Sequence, residues 1–360
     1  MEIFYYGIDN NRGGMEIYAF NLIKNILKRD STIKYHILTC YRDICFKKEF
    51  EELGCKITFL PKKEHVFKFY RSLTNVFKKA DKNNSLIQLN VMTCRNLLLF
   101  KAAKKSKIKT IIVNHSSKIS SFSVKIGNFL FRLLFRRFAT KVGVSNDSLK
   151  AISNKKDENN LVINNGINTE QFEFNDKKRD ELRKKYNIAN DEFVVGQVGR
   201  ISKLKNQIFS CRVFNNLMEK ENISLHFFGN IQDQSVDKFI KKNNLSYLIK
   251  NHNKIDNTND IYNMFDLFLF PSISEGAGIA LCEALANGLN CVVSENVPEL
   301  NIKKDKIIKL PLKEEKWVDV INKFRNKGSY RRDNVIIGTK YNLDYQVEQY
   351  LDLYKKLFKK

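Results

Sequence analysis

Short apolar runs recur along this chain, and segments with helical spacing fill most of the intervals between them. Residues 3–8, 35–39, 56–60, 86–89 and 110–113 read as strands. Between the first two, Ile17, Phe20, Leu22, Ile23 and Ile26 mark the apolar side of a helix over 16–27. Short apolar strands alternating with helices call for a parallel sheet with helices on its faces. The pattern restarts after about residue 160. There a short strand over 161–163, the turn Asn165-Gly166 and a charged stretch over 176–185 precede further strands at 193–198, 225–228, 267–270 and 291–293. The expected fold is α/β, with two Rossmann-like domains covering 1–160 and 161–340. Ligands of such units bind at the carboxyl ends of the strands, in the crevice between the domains. The last segment, 341–360, carries Val347, Tyr350, Leu351, Leu353, Tyr354 and Leu357 at helical spacing, and is expected to return to the first domain.

A length of 360 residues leaves room for both domains, and an apolar fraction of 43% supplies a core for each. The formal net charge of +24 speaks to partners rather than to fold. Nucleic acid, an anionic membrane and phosphorylated substrates would all answer it, but no nucleic-acid-binding motif accompanies it, so nucleic acid is not expected. Seven cysteines without a Cys-x-x-Cys pair argue for free thiols in a reducing compartment and against a zinc site. No signal peptide is visible, and no apolar run reaches the length of a spanning helix. The expected location is cytoplasmic, with peripheral association with the membrane left open.

Chemistry concentrates in two places. Residues 270–283 read Phe-Pro-Ser-Ile-Ser-Glu-Gly-Ala-Gly-Ile-Ala-Leu-Cys-Glu, directly after an apolar run. This is the pattern of strand, tight turn and helix N-terminus, where backbone N–H groups and the helix dipole attract phosphate. Glu275 and Glu283 are about two helical turns apart, which puts Glu283 on the side of the loop. Earlier, the strand over 193–198 runs into Gly199-Arg200, then Lys205-Asn206. Two cations in one loop after a strand are suited to clamping a diphosphate and neutralising charge on a leaving group.

Together these segments resemble the family 4 retaining glycosyltransferases of the GT-B fold. Gly199-Arg200, Lys205-Asn206, Pro271-Ser272, Glu275-Gly276 and Glu283-Ala284 carry the likeness. Val162-Ile-Asn-Asn-Gly-Ile-Asn-Thr169 with Phe172 resembles the family's interdomain segment. Val144-Ser145, Gly13-Gly14-Met-Glu16 and Val113-Asn-His115-Ser116 resemble first-domain strand ends and loops. The match spans nearly the whole chain in order and looks closest to the branch that builds bacterial capsular, exopolysaccharide or lipopolysaccharide chains.

The resemblance implies two facing domains and a set of roles. Arg200 and Lys205 would hold the donor diphosphate, helped by Gly199 and by backbone amides around Ala277, Gly278 and Ile279. Glu283 would accept hydrogen bonds from ribose. Glu275 would contact the donor sugar near the reacting centre, and His115 would face that sugar from the first domain. Gly13 and Gly14 would let the first loop approach the ligands closely. A nucleotide sugar, UDP-linked, would donate a hexose or N-acetylhexosamine to a glycan or lipid-linked glycan, with no metal and no other cofactor. Base recognition would come from the loop near 253–255, where Asn251-His-Asn-Lys254 stands in place of the family's glycine. Each residue also has a plainer reading: Glu283 as a surface residue, Glu275 as a helix cap, His115 as a satisfied strand-end histidine, Gly13-Gly14 as a turn. Two other functions stay open, a nucleotide-sugar 2-epimerase-like isomerase and a non-catalytic membrane-associated partner of another transferase.

Residues 118–141 interleave Phe129, Phe131, Leu133, Leu134, Phe135 and Phe138 with Arg132, Arg136 and Arg137, and 62–79 are similarly basic and aromatic. Such segments suit either an anionic membrane surface or helices that bury their phenylalanines and solvate their charges.

Overall fold

The computed structural model describes residues 1–10, 13–116, 122–135, 137–153, 160–253, 259–275, 278–300, 302, 304–328 and 332–358. The chain forms two compact units, Met1–Gly166 with Leu343–Lys360, and Ile167–Asn342.

Unit 1 holds a parallel sheet of β1 (Glu2–Tyr6), β2 (Lys34–Thr39), β3 (Lys56–Phe59), β4 (Ser85–Val91), β5 (Lys109–Asn114), β6 (Thr140–Gly143) and β7 (Asn160–Val162). Their order is β3-β2-β1-β4-β5-β6-β7. The sheet is wound outward in both directions from β1 and β4, so its connections diverge where those two strands end. Gly7 follows β1 there with φ +123, and a Cβ on it would lie 2.5 Å from the Asn90 carbonyl oxygen on β4. Only glycine allows both that conformation and that approach.

One sequence expectation changes. The strand expected to open the second domain pairs instead with β6, Val142 beside Leu161 and Gly143 beside Val162. Ile163 N–H continues the ladder to the Gly143 carbonyl at 3.0 Å. The chain therefore passes into unit 2 at Ile167 rather than at 161. Three strand residues carry no signal of which sheet they will join.

The helix Leu343–Phe358 returns to unit 1 and buries Val347, Tyr350, Leu353 and Tyr354. Its tyrosines reach partners in the interior, as buried hydroxyls must. Tyr350 OH lies 2.7 Å from Tyr18 OH, and Tyr354 OH donates to Gln88 Oε1 at 2.6 Å. Outside, Arg29 bridges Asp344 at 2.6 Å and Glu348 at 3.2 Å.

Unit 2 repeats the architecture with β8 (Phe193–Val198), β9 (Ile223–Phe228), β10 (Ile249–Asn251), β11 (Leu267–Phe270), β12 (Asn290–Ser294) and β13 (Ile307–Leu310). The order β10-β9-β8-β11-β12-β13 diverges between β8 and β11. Asp266 ties the amino ends of these two strands, accepting from Val194 N–H at 2.8 Å and from Arg179 at 2.6 Å. All seven cysteines are free thiols.

Gly7→Ala is expected to destabilise unit 1 by about 2 kcal/mol or more, since it adds both a clash and a strained backbone. A lowered denaturant midpoint by far-ultraviolet circular dichroism checks this.

Candidate active site

The carboxyl ends of β8 and β11 are neighbours, and the residues expected to bind diphosphate leave the sheet there. Gly199 has φ +136, while a Cβ on it would meet only the Lys205 side chain, at 3.6 Å and beyond. Backbone conformation, not crowding, calls for glycine at this bend. Arg200 follows, exposed. Buried Gln207 clamps the loop by donating to the Arg200 carbonyl at 3.0 Å and accepting from Ser202 N–H at 3.1 Å.

Lys205 is fixed at both ends. Its carbonyl accepts from Gln197 Nε2 at 2.9 Å, and Gln197 Oε1 accepts from Ser210 Oγ at 2.8 Å. Its ammonium donates to Glu275 Oε1 at 2.6 Å and sits 4.9 Å from the centre of the Phe270 ring. Side-chain exposure is 22% for Lys205 and 8% for Glu275, so this pair is well removed from water. Removing one member of such a pair strands the other charge. Asn206 heads the next helix with φ +57 and donates to the Pro271 carbonyl at 3.1 Å, while Ile273 N–H donates to the Leu204 carbonyl at 2.8 Å. The β8 and β11 loops are thus stitched together.

The helix Ile279–Ala286 starts behind Gly278, its N-cap, with φ 61. Its first N–H groups, beginning with Ile279, have no intrahelical partner and are suited to an anion. The residue that caps this helix is Gly278, not Glu275. Glu275 therefore precedes the helix, and its spacing from Glu283 is not two helical turns. Glu283 is half-buried and accepts from Tyr262 OH at 2.5 Å. Burial raises its pKa, opposed by Tyr262 and then Lys205. Tyr262 orients this carboxylate and carries no sequence signal. Ala277 lies outside the described residues.

Asn253, in the stretch where the family shows a glycine, has φ +58. Asparagine tolerates that left-handed conformation; residues 254 and 255 of the expected base-recognition loop lie outside the described residues. A chain of hydrogen bonds leads to the neighbouring His252. Ser224 Oγ donates to Glu192, so His226 Nε2 must donate to Ser224 at 3.0 Å. His226 Nδ1 then accepts from His252 Nε2 at 2.8 Å. Both rings are neutral, His226 with its pKa lowered to about 3 and His252 to about 4, by burial first.

In unit 1, a cavity of about 290 Å³ opens at the carboxyl ends of β1, β2 and β4, lined among others by Asp9, Glu16, Lys63, Asn90 and Arg95. Gly13 is the N-cap of the helix Gly14–Arg29, and its N–H donates to Glu16 Oε2 at 3.2 Å. Gly13 and Gly14 therefore head a helix rather than forming an open turn. Glu16 is buried, and its pKa is raised by burial and then by Asp9. Neither carboxylate was singled out as a site residue from the sequence. His115 is buried, with Nε2 3.2 Å from Asn90 Oδ1. Asn90 Nδ2 donates to the Tyr6 carbonyl at 3.2 Å, so Oδ1 is the acceptor and His115 Nε2 carries the proton. Tyr18 meets the ring edge-on at 4.7 Å, and burial lowers the His115 pKa to about 3. Among the described residues, no three His, Cys, Asp or Glu side chains group as a metal site.

Residues 178–341 match the family described as glycosyl transferases group 1. The capsular polysaccharide biosynthesis glycosyltransferase CapH of Staphylococcus aureus is 28% identical over 332 residues, 87% of each chain. The UDP-Gal:alpha-D-GlcNAc-diphosphoundecaprenol alpha-1,3-galactosyltransferase of Escherichia coli is 30% identical over 138 residues, 37% of this chain and 36% of that one. Among solved structures, HepE of Anabaena in complex with UDP and glucose superposes with a TM-score of 0.79 at 17% identity, over 99% of this chain and all of that one. At that identity the likeness carries the fold, GT-B.

Three neutral histidines set a pH dependence. Unfolded histidine takes a proton near pH 6.5, whereas His115, His226 and His252 stay neutral in the fold down to about pH 4. Stability should therefore fall as pH drops from about 7 towards 4, by about 1.4 kcal/mol per pH unit for each of the buried His115 and His226 and by less for the part-exposed His252, with no such contribution above about pH 7. Denaturant titrations check the slope. Imidazole nitrogen shifts of His115 should stay those of the Nε2–H tautomer down to about pH 5.

Proposed function

Because residues 178–341 match the group 1 glycosyl transferases, we propose that the chain moves a hexose or N-acetylhexosamine from a UDP-sugar to a growing lipid-linked surface glycan, with retention of anomeric configuration. The observation that carries this reading is the Lys205–Glu275 pair beside the head of the helix Ile279–Ala286, at the divergence of β8 and β11. Three relatives support the finer terms. CapH is named for capsular polysaccharide biosynthesis, the Escherichia coli enzyme for a UDP-sugar donor and a diphosphoundecaprenol-linked acceptor, and HepE was solved with UDP.

In this reading, breaking the sugar–phosphate bond builds negative charge on the diphosphate and positive charge on the anomeric carbon. Lys205 and Arg200 stabilise the first, with the N–H groups of Gly278 and Ile279 and the adjoining Ala277 segment. Gly199 keeps the bend that presents the two cations. Glu275, already bonded to Lys205, serves the sugar side, and Glu283, oriented by Tyr262, takes the ribose hydroxyls. Fixed cations supply the charge that a divalent metal would, so turnover is metal-independent. From unit 1, Gly13 and Gly14 contribute helix-head amides. His115 takes part as a neutral hydrogen-bonding group, since a pKa of about 3 removes it as an acid at neutral pH.

A panel of nucleotide sugars, assayed for nucleotide release with and without a lipid-linked acceptor, tests the proposal. Acceptor-dependent release from a UDP-sugar, unchanged by excess EDTA, is expected. Acceptor-independent isomerisation of the donor would point to an epimerase instead.

Lys205→Ala should lower turnover about 100- to 1,000-fold. It should also lower the melting temperature, because Glu275 is left charged and largely buried. Adding Glu275→Gln should recover stability without recovering turnover. Calorimetry beside the transfer assay separates the two effects.

A further inference from the structure

The helix Phe122–Leu134 in unit 1 has two apolar faces. The inner one buries Val124, Gly127, Asn128 and Phe131, at helical spacing. It is firmly seated. Asn128 Oδ1 accepts from Cys94 N–H at 3.0 Å, and a Cβ on Gly127 would lie 2.9 Å from the Arg95 Cα. Phe131 packs on Phe100 with ring centres 4.6 Å apart. The sequence left these phenylalanines as either core or surface, and the fold divides them. Phe131 and Phe135 are core.

The outer face carries Phe122, Ile126, Phe129 and Leu133, which follow one another at four, three and four positions and so form one stripe. They are 79%, 43%, 58% and 66% exposed. Single exposed apolar residues are ordinary, but a stripe of this length on one helix marks a surface that meets something.

The charges around it are of one sign. Between Asp81 and Asp147 the sequence contains no aspartate or glutamate, while lysine and arginine recur throughout. Lys125 and Arg132 lie on the helix itself and Arg137 is exposed just beyond it. Lys104 Nζ reaches the Leu134 carbonyl at 3.4 Å and sits 5.6 Å from the centre of the Phe135 ring. Among the described residues no helix is long and apolar enough to cross a membrane, so a lipid contact here is interfacial.

We propose that the outer stripe of the helix Phe122–Leu134 enters the headgroup layer of an anionic phospholipid bilayer, with the surrounding lysines and arginines on the lipid phosphates. Apolar insertion and electrostatic attraction then act together, which is what stable interfacial binding requires. The same helix grips Cys94 and Arg95, and Arg95 lines the unit 1 cavity with Met92 and Asn96. Docking thus holds that cavity close to the lipid surface, where the glycan of a lipid-linked acceptor is presented. The membrane contact stands on the helix alone, and only its purpose rests on the acceptor proposed above.

Co-flotation of the full chain with vesicles tests it. Wild type should bind phosphatidylglycerol-containing vesicles at least tenfold better than pure phosphatidylcholine, and less well as salt rises. Phe129→Glu combined with Leu133→Glu should cut that binding at least tenfold while circular dichroism and UDP binding are retained. Met218→Glu, at a 97% exposed position of unit 2, should change nothing. An indole introduced by Phe129→Trp should be quenched by brominated lipid, whereas Trp317 is fully buried. Equal binding by the double variant, or none by wild type to anionic vesicles, would overturn the proposal. So would a dimer in light scattering that the double substitution disperses without any vesicle binding, which would assign the stripe to a second copy. Vesicle binding with no turnover of any donor would leave the docking surface standing and sink the transferase reading.

Discussion

Both sheets depend on one topological constraint. Each is wound outward from two adjacent parallel strands, β1 and β4 in unit 1, β8 and β11 in unit 2. Connections that leave neighbouring strands in opposite directions cannot cover the gap between them, and a crevice opens at the carboxyl ends. In unit 1 the gap is the cavity that Asp9, Glu16 and Asn90 line. In unit 2 it holds Lys205 and Glu275. The glycines after the first strand of each sheet, Gly7 and Gly199, have φ of +123 and +136 and turn the chain out at the same point. The two are not equivalent, since a side chain on Gly7 would strike β4 whereas one on Gly199 would have space.

Around the Lys205–Glu275 pair, unit 2 spends many hydrogen bonds on position. Gln197, Gln207 and Asn206 hold the loop by its backbone, and none of them bears charge. The cost of ordering the loop is met during folding, so little reorganisation remains for a ligand to drive. A cation already bonded to a carboxylate differs from a free lysine in one respect. In the proposed reaction it would bring the group that complements a positive sugar carbon along with the group that complements a negative diphosphate. That pairing favours a ligand that polarises along the bond between them over one that merely carries phosphate.

Much of this was legible in the sequence because the central strands are buried on both faces and read as unbroken apolar runs. β8 and β11 emerge at the residues expected, 193–198 and 267–270. The sheet margins were harder. β10 is three residues long, and β6 and β13 each include a lysine, so neither apolar continuity nor alternation announces them. Within the site, the charged residues could be named from their motifs, but their partnership could not. Lys205 and Glu275 meet because β8 and β11 are adjacent, a fact of topology rather than of local spacing. Tyr262 lies on a short 3-10 turn with no pattern of its own. Gln197 did leave a trace, as a polar residue inside the apolar strand Phe193–Val198. A buried amide in such a place must have partners, and those partners are Lys205 and Ser210.

The distribution of charge differs between the two units. A nucleotide diphosphate brings few negative charges, and the loop that would meet it presents Arg200, Lys203 and Lys205, one of them already paired with Glu275. A net charge of +24 far exceeds what such a ligand can answer. Self-repulsion on that scale works against compactness, so a surface that keeps it is suited to an extended anionic partner rather than to a small one. The longest stretch without a carboxylate, from Asp81 to Asp147, lies in unit 1 and not around the Arg200–Lys205 loop. It is also where a helix turns phenylalanines outward. A polyanion would satisfy the lysines and arginines there but leave Phe122 and Phe129 in water. A neutral apolar partner would do the reverse. An anionic bilayer satisfies both at once.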